Sequence, residues 1–114
     1  MEYSVKKINN ADPNVWGPGY WFLLHVGSLN YPSSASPIVA KKMENYIIGI
    51  PSIIPCFDCK CHAISYIESQ IHNLPKFCEG RDSLFKFYVD FHNSVNERLG
   101  KTVISLDDAY KLYK

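Results

Sequence analysis

Residues 82–100 read DSLFKFYVDFHNSVNERLG, and within them Phe85, Tyr88, Val89, His92, Val95, Asn96 and Leu99 recur at intervals of three and four. That spacing gathers one stripe along a helix of 3.6 residues per turn. Asp82 is placed to cap the start, since a short carboxylate accepts from free N–H groups, and Gly100 to close the end in a left-handed turn. His92 and Asn96 stand four apart within the stripe, so they face the interior or something bound beside it. Two buried polar side chains satisfied by backbone or neighbouring helices are the competing explanation.

Working outward from this helix, Cys56-Phe57-Asp58-Cys59 follows Pro55, and His62, Ala63, Tyr66 and Ile67 continue at helical spacing, which predicts a helix from Cys56 to about Gln70. Asn73 to Gly80, with Pro75, reads as a loop. Upstream, Trp21, Leu24, His25 and Ser28 predict a first helix within Val15 to Asn30, with Pro18 accommodated in its opening turn. Pro37 opens a second, in which Met43, Tyr46, Ile47 and Ile50 repeat until Pro51. Ser105 and Asp108 form an S-x-x-D start for a short terminal helix carrying Tyr110 and Tyr113, after at most an extended stretch at Thr102 to Ile104. Five helices without alternating strands predict an all-α fold, and argue against the thioredoxin fold that often houses a CxxC. Residues 1–14 are expected to form a polar lead and residues 15–114 a single domain.

At 114 residues the chain can bury one core but not two. Its 12 basic and 11 acidic side chains nearly cancel, which argues against an electrostatic nucleic-acid binder. The longest apolar run, near Ile47 to Ile54, is broken by Gly49, Pro51 and Ser52, so no membrane span is expected. No apolar stretch follows Lys6 and Lys7 in the manner of a secretory signal. Without one, four clustered cysteines point to catalysis or metal binding rather than a secreted disulfide scaffold.

Two thiols at CxxC spacing close and reopen a disulfide, and at a helix start free N–H groups and the helix dipole lower the pKa of at least one of them. Zinc sites use the same spacing, and Cys56 and Cys59 with His62, Cys61 or Cys78 would supply some of four ligands. No second CxxC or H-x3-H pair completes a zinc module, and no glycine-rich dinucleotide fingerprint or haem motif provides an electron sink. Three helices bring paired groups toward the centre of a bundle: Trp21 with His25, His62 with Tyr66, His92 with Asn96. A flavin among them would serve as the sink, and a structural zinc remains the competing reading.

Trp16-Gly17-Pro18-x-x-Trp21-x-x-Leu24-His25, Tyr31-Pro32, Ile54-Pro55-Cys56-x-x-Cys59-x-x-His62 and Phe91-His92-Asn93-x-Val95-Asn96-x-Arg98-Leu99-Gly100-Lys101 appear in this order. Together they resemble the Erv/ALR family of FAD-linked sulfhydryl oxidases, from roughly Trp16 to Lys101, and in brevity the versions encoded by large DNA viruses. The resemblance implies a four-helix bundle with a short fifth helix, FAD held within the bundle, and a homodimer. It implies that Cys59 is the flavin-proximal thiol and Cys56 the one that meets substrate. It also implies a cofactor site of Trp16, Gly17, Trp21, His25, Tyr31, His62, His92, Asn93, Val95, Asn96 and Lys101, and no metal.

The implied activity is a thiol oxidase that forms a disulfide in a thioredoxin-like or other dithiol protein and passes the electrons to molecular oxygen, giving hydrogen peroxide. The helix N-terminus is expected to favour the Cys59 thiolate. Residues 1–14 and 101–114 hold no cysteine for the shuttle pair that many family members carry, so substrate is expected to reach Cys56 directly. Tyr110 or Tyr113 would stand in for a late tryptophan against adenine, and Cys61 and Cys78 are expected to be free thiols. The viral likeness implies host cytoplasm or the virion, with the mitochondrial intermembrane space as the cellular alternative. The alternative function is a non-enzymatic zinc-binding helical interaction module.

Overall fold

Four helices of the computed structural model, which describes residues 7–114, begin where a side chain accepts from the first turn. Asp12 caps α1 (Pro13–Leu29), Ser36 caps α2 (Pro37–Gly49), and Cys56 caps α3 (Phe57–Ser69) through its sulfur. Prolines at the first position of α1 and α2 suit sites whose N–H groups have no partner in the helix. A short α4 (Leu74–Phe77) precedes the long α5 (Arg81–Arg98). Ser105 then caps α6 (Leu106–Tyr113), its hydroxyl accepting from Asp108 N–H at 3.1 Å as the S-x-x-D pattern predicts. No strand occurs among the described residues.

The fold is thus all-α, four principal helices with a short terminal one, and several boundaries differ from the sequence expectation. Pro13 and Asn14, assigned to the lead, belong to α1, and Pro18 sits in its second turn. The proline leaves the Asn14 carbonyl without its helical donor, which solvent can supply because Asn14 is exposed. Residues 1–6 of the expected lead lie outside the described residues. Past Gly49 the chain tightens into a 3-10 turn, Ile50–Ile53, that runs through Pro51. The expected loop at Asn73 to Gly80 is instead a 3-10 turn, Ile71–Asn73, leading into α4.

Gly80, not Asp82, is the N-cap of α5. A side chain there would be driven into the Ser33 carbonyl, where the 33–35 loop crosses and Ala35 N–H bonds Glu79 O at 2.8 Å. Asp82 falls in the first turn, where its charge still complements the dipole, and accepts from the Tyr110 hydroxyl at 3.2 Å. The other end closes as read from Gly100, at φ +70°: Lys101 N–H bonds Asn96 O at 2.8 Å and Gly100 N–H bonds Glu97 O at 3.1 Å. This pair of bonds satisfies carbonyls a helix end otherwise strands.

The core is organised around α5, which buries Leu84, Phe85, Phe87, Tyr88, Val89 and Phe91. Its main face packs with Leu24, Ile47, Ile50, Ala63, Ile67 and Leu74 from the other helices. Phe85 and Val89 turn toward Ala109, with Leu29, Ile104, Leu106, Tyr110 and Tyr113 around them. Removing a buried aromatic such as Phe87 should cost about 3–5 kcal/mol, a large share of the stability of a domain this size.

Candidate active site

A cavity of about 360 Å³ opens between α1, the 50–54 turn, α3 and the C-terminal half of α5. Trp16, Gly17 and Trp21 line it from α1, Cys59 and Ala63 from α3, and Phe91, His92, Val95 and Asn96 from α5. Arg98 and Lys101 bring positive charge to its wall, and Tyr113 reaches it from α6. Apolar walls with a few polar groups, at this volume, are typical of a small-molecule site.

Cys56 and Cys59 meet the cavity differently. Cys59 lines it, whereas Cys56 caps α3 outside its wall, with Sγ 3.3 Å from the Cys59 N–H. Hydrogen bonding to the Cys59 side chain, then to the backbone N–H groups of Cys59 and Asp58, holds Cys56 below the usual thiol pKa. Burial raises Cys59, the bond and charge of Cys56 add to that, and Arg98 opposes it with Nη2 donating to Sγ at 3.6 Å. The helix N-terminus therefore favours the Cys56 thiolate, correcting the expectation that it favours Cys59. The cap position receives the free N–H groups, and Cys59 lies one turn inside. Phe57, next to Cys56 in the chain, is 76% exposed, and Ile53, three residues before it, 74% exposed.

On α1 and α5, the Trp21 and His92 rings stack with centroids 4.1 Å apart and planes 6° apart. Behind them His25 Nε2 shares a hydrogen bond with His92 Nδ1 at 2.9 Å, and the His25 ring stacks on Tyr113 at 4.5 Å. Burial, and then the His92 charge, brings His25 down to about 4; burial, and then Lys101, does the same to His92. Both rings are neutral near pH 7, and among the described residues His25 Nδ1 is buried without a partner.

Of the residues implied for a cofactor, Trp16, Gly17, Trp21, His92, Val95, Asn96 and Lys101 share the cavity wall, and His25, Tyr31, His62 and Asn93 do not. His25 stands one layer behind through His92. Tyr31 is buried elsewhere, its hydroxyl donating to Cys78 O at 2.7 Å while Arg81 Nε donates to its carbonyl at 2.8 Å. His62 bonds the Ser94 hydroxyl at 3.0 Å across α3 and α5. The Asn93 amide binds both backbone groups of Ile104, so the expected extended stretch at Thr102 to Ile104 is an irregular segment held by a side chain.

Sequence reasoning missed Arg98, Phe91, Leu24, Ile50 and Ile54 as cavity residues. Arg98 follows Val95 by three, so the helical period alone could have found it. Cys61 is exposed and Cys78 fully buried with its pKa pushed up to about 12, chiefly by burial. Among the described residues no three His, Cys, Asp or Glu side chains group to hold a metal, so Cys56, Cys59 and His62 do not form the ligand set of the zinc reading.

The family model described as the Erv1 / Alr family matches residues 18–114. The chain belongs to the Erv1/Alr family. Protein 347L of Invertebrate iridescent virus 6, whose name puts it forward as a FAD-linked sulfhydryl oxidase, is 34% identical over 110 residues, covering 94% of this chain and 99% of that protein. The FAD-linked sulfhydryl oxidase of African swine fever virus, Warthog isolate, is 31% identical over 87% of this chain and 80% of its own. The crystal structure of the yeast Erv1 core superposes with a TM-score of 0.83 at 24% identity, covering 99% of this chain and 92% of that one. This last likeness fixes the Erv1/Alr fold that the helices above describe.

Proposed function

We propose that this chain is an FAD-dependent thiol oxidase that forms a disulfide in a dithiol protein and returns the electrons to molecular oxygen as hydrogen peroxide. The observation that carries the reading is the division of the CxxC pair: Cys59 lines a cavity walled by aromatic rings, and Cys56 stands outside it at a helix start. The names of the viral relatives support the same chemistry.

The residues present fit FAD. Trp16, Trp21 and Phe91 offer flat apolar surface to ring systems, Lys101 offers charge to a diphosphate, and Asn96 and His92 offer edge hydrogen bonds. When bound, FAD would supply a two-electron acceptor for the thiol pair and a donor to oxygen. Cys56, the more acidic sulfur, would exchange with substrate; Cys59 would face the cofactor; neutral His25 and His92 would hold the Trp21 ring in place without adding charge.

The partner in this proposal is a thioredoxin-like or similarly accessible dithiol protein, and the active form a homodimer, for which the exposed Phe22 and Leu23 on α1 supply an apolar face. No helix among the described residues is long and apolar enough to cross a membrane. Host cytoplasm or the virus particle is the proposed location, following the viral relatives.

The test is direct. Purified protein should be yellow, release FAD on denaturation and consume oxygen when given a small dithiol, whereas Cys59→Ser should keep the flavin and lose turnover. Colourless protein carrying one zinc per chain would defeat the reading.

A further inference from the structure

The helix α5 meets α3 through two rungs one turn apart. Ser94 bonds His62 at 3.0 Å, and four residues on, Arg98 Nη2 lies 3.6 Å from Cys59 Sγ. No carboxylate lies within salt-bridge distance of Arg98 among the described residues, although the chain has 11 acidic side chains. Its guanidinium is thus directed at a sulfur instead of a carboxylate. It also lines the cavity into which that sulfur opens.

We propose that Arg98 is a catalytic residue that stabilises the thiolate released on Cys59 each time the Cys56–Cys59 disulfide is opened. The role follows from bond accounting in the exchange. A substrate thiolate attacks Cys56 Sγ; the substrate–Cys56 S–S bond forms as the Cys56–Cys59 bond breaks, and the departing electron pair remains on Cys59. A second substrate thiol, having lost its proton to solvent, attacks the substrate sulfur of the mixed disulfide and expels Cys56, which takes up a proton. The substrate has lost two electrons, which the dithiol pair now holds until a flavin accepts them.

Exchange is faster when the leaving thiol is more acidic. Cys59 has an environment that works against it, since burial disfavours its charge. The charged and titratable groups around it are Cys56 and Asp58 at the start of α3, His62 one turn along, and Arg98 and Lys101 from α5 and its end. His62 is depressed by burial and by Arg98, so it brings no charge near pH 7. Lys101 lines the cavity, where its charge bears on His92, and among the described residues Arg98 alone has a donor at the sulfur. An arginine stays ionised at every working pH, which makes it a fixed partner for a transient anion.

This inference rests on the proposed oxidase reading for its purpose, and its test does not use turnover. In a Cys56→Ser background the tryptic segment 43–60 holds Cys59 as its single cysteine. The pH dependence of iodoacetamide labelling there, read by mass spectrometry, reports its ionisation. We expect Arg98→Gln to raise the labelling midpoint by about one pH unit, a tenfold loss of thiolate at neutral pH, and Arg98→Lys to restore part of it. Molar salt should move the Arg98-containing protein toward the Arg98→Gln midpoint, because the pair is exposed enough to be screened. Coincident midpoints for Arg98 and Arg98→Gln proteins would overturn the role. If Arg98→Gln does not fold, a midpoint indifferent both to salt and to Arg98→Lys overturns it equally. Absence of flavin or of oxygen uptake would sink the oxidase reading and leave these midpoints interpretable.

Discussion

The amide of Asn93 grips both backbone groups of Ile104: Nδ2 donates to its carbonyl at 2.7 Å and Oδ1 accepts from its N–H at 3.0 Å. One side chain thereby replaces the ladder partner that an extended segment would need. The grip fixes where α6 starts, and so places Tyr113 on His25. Asn93→Ala should lower stability by about 2 kcal/mol, two hydrogen bonds at roughly 1 each. Urea denaturation measures the loss, and faster amide exchange confined at first to residues 104–113 identifies its origin; an unchanged midpoint contradicts the assignment.

The buried imidazoles make stability depend on pH. His25 and His92 titrate near 4 in the folded chain, below the ordinary value of about 6.5. Above pH 6.5 neither state binds the protons, and between 6.5 and 4 the unfolded chain binds them while the folded one does not. Stability must therefore fall as pH falls through that window, by on the order of 2 kcal/mol per ring between pH 6.5 and 5. Thermal unfolding at pH 7.5 and pH 5 tests this, and His25→Gln should flatten the slope. A midpoint that rises on acidification would refute it.

The four cysteines should separate by reactivity in the reduced protein. Cys56, held acidic at the helix cap, is expected to react with iodoacetamide ahead of Cys59 at neutral pH. Cys61 is accessible, and Cys78, fully buried and titrating near 12, should label only after denaturation. Mass spectrometry of timed samples gives the order, and labelling of native Cys78 at the rate of Cys61 would show the core assignment to be wrong.

Two glycines should answer alanine in opposite directions. Gly100 closes α5 at φ +70°, where a side chain is strained, so Gly100→Ala should cost about 1–2 kcal/mol. Gly27 lies within α1 with nothing close to an added methyl, and Gly27→Ala should gain about 0.5 kcal/mol through helix propensity. Equal effects from the two would remove the conformational argument.

Helix α5, the CxxC and the terminal cap were legible because each rests on a local pattern: a 3.6 period, a fixed spacing, an S-x-x-D pair. The N-cap of α5 was not, since the choice of Gly80 over Asp82 is made by the Ser33 carbonyl, 47 positions away in the chain. Asn93 and Tyr31 were read as cofactor contacts from motif alone, yet Asn93 bonds Ile104 and Tyr31 bonds Cys78, tertiary pairings that no spacing encodes. Arg98 was hidden differently. A basic side chain near a helix end already has an adequate explanation in the dipole, so nothing marked it as a partner for sulfur.

Because α5 forms the centre of the core with one side and the cavity wall with another, the reaction chamber has no stability of its own to lose. A change that loosened the chamber would loosen the whole molecule, and hydrogen exchange along 84–96 should report global unfolding rather than local breathing. Diversification toward new partners is left to exposed positions near Cys56 in the chain, such as Ile53 and Phe57, whose side chains stand largely in solvent.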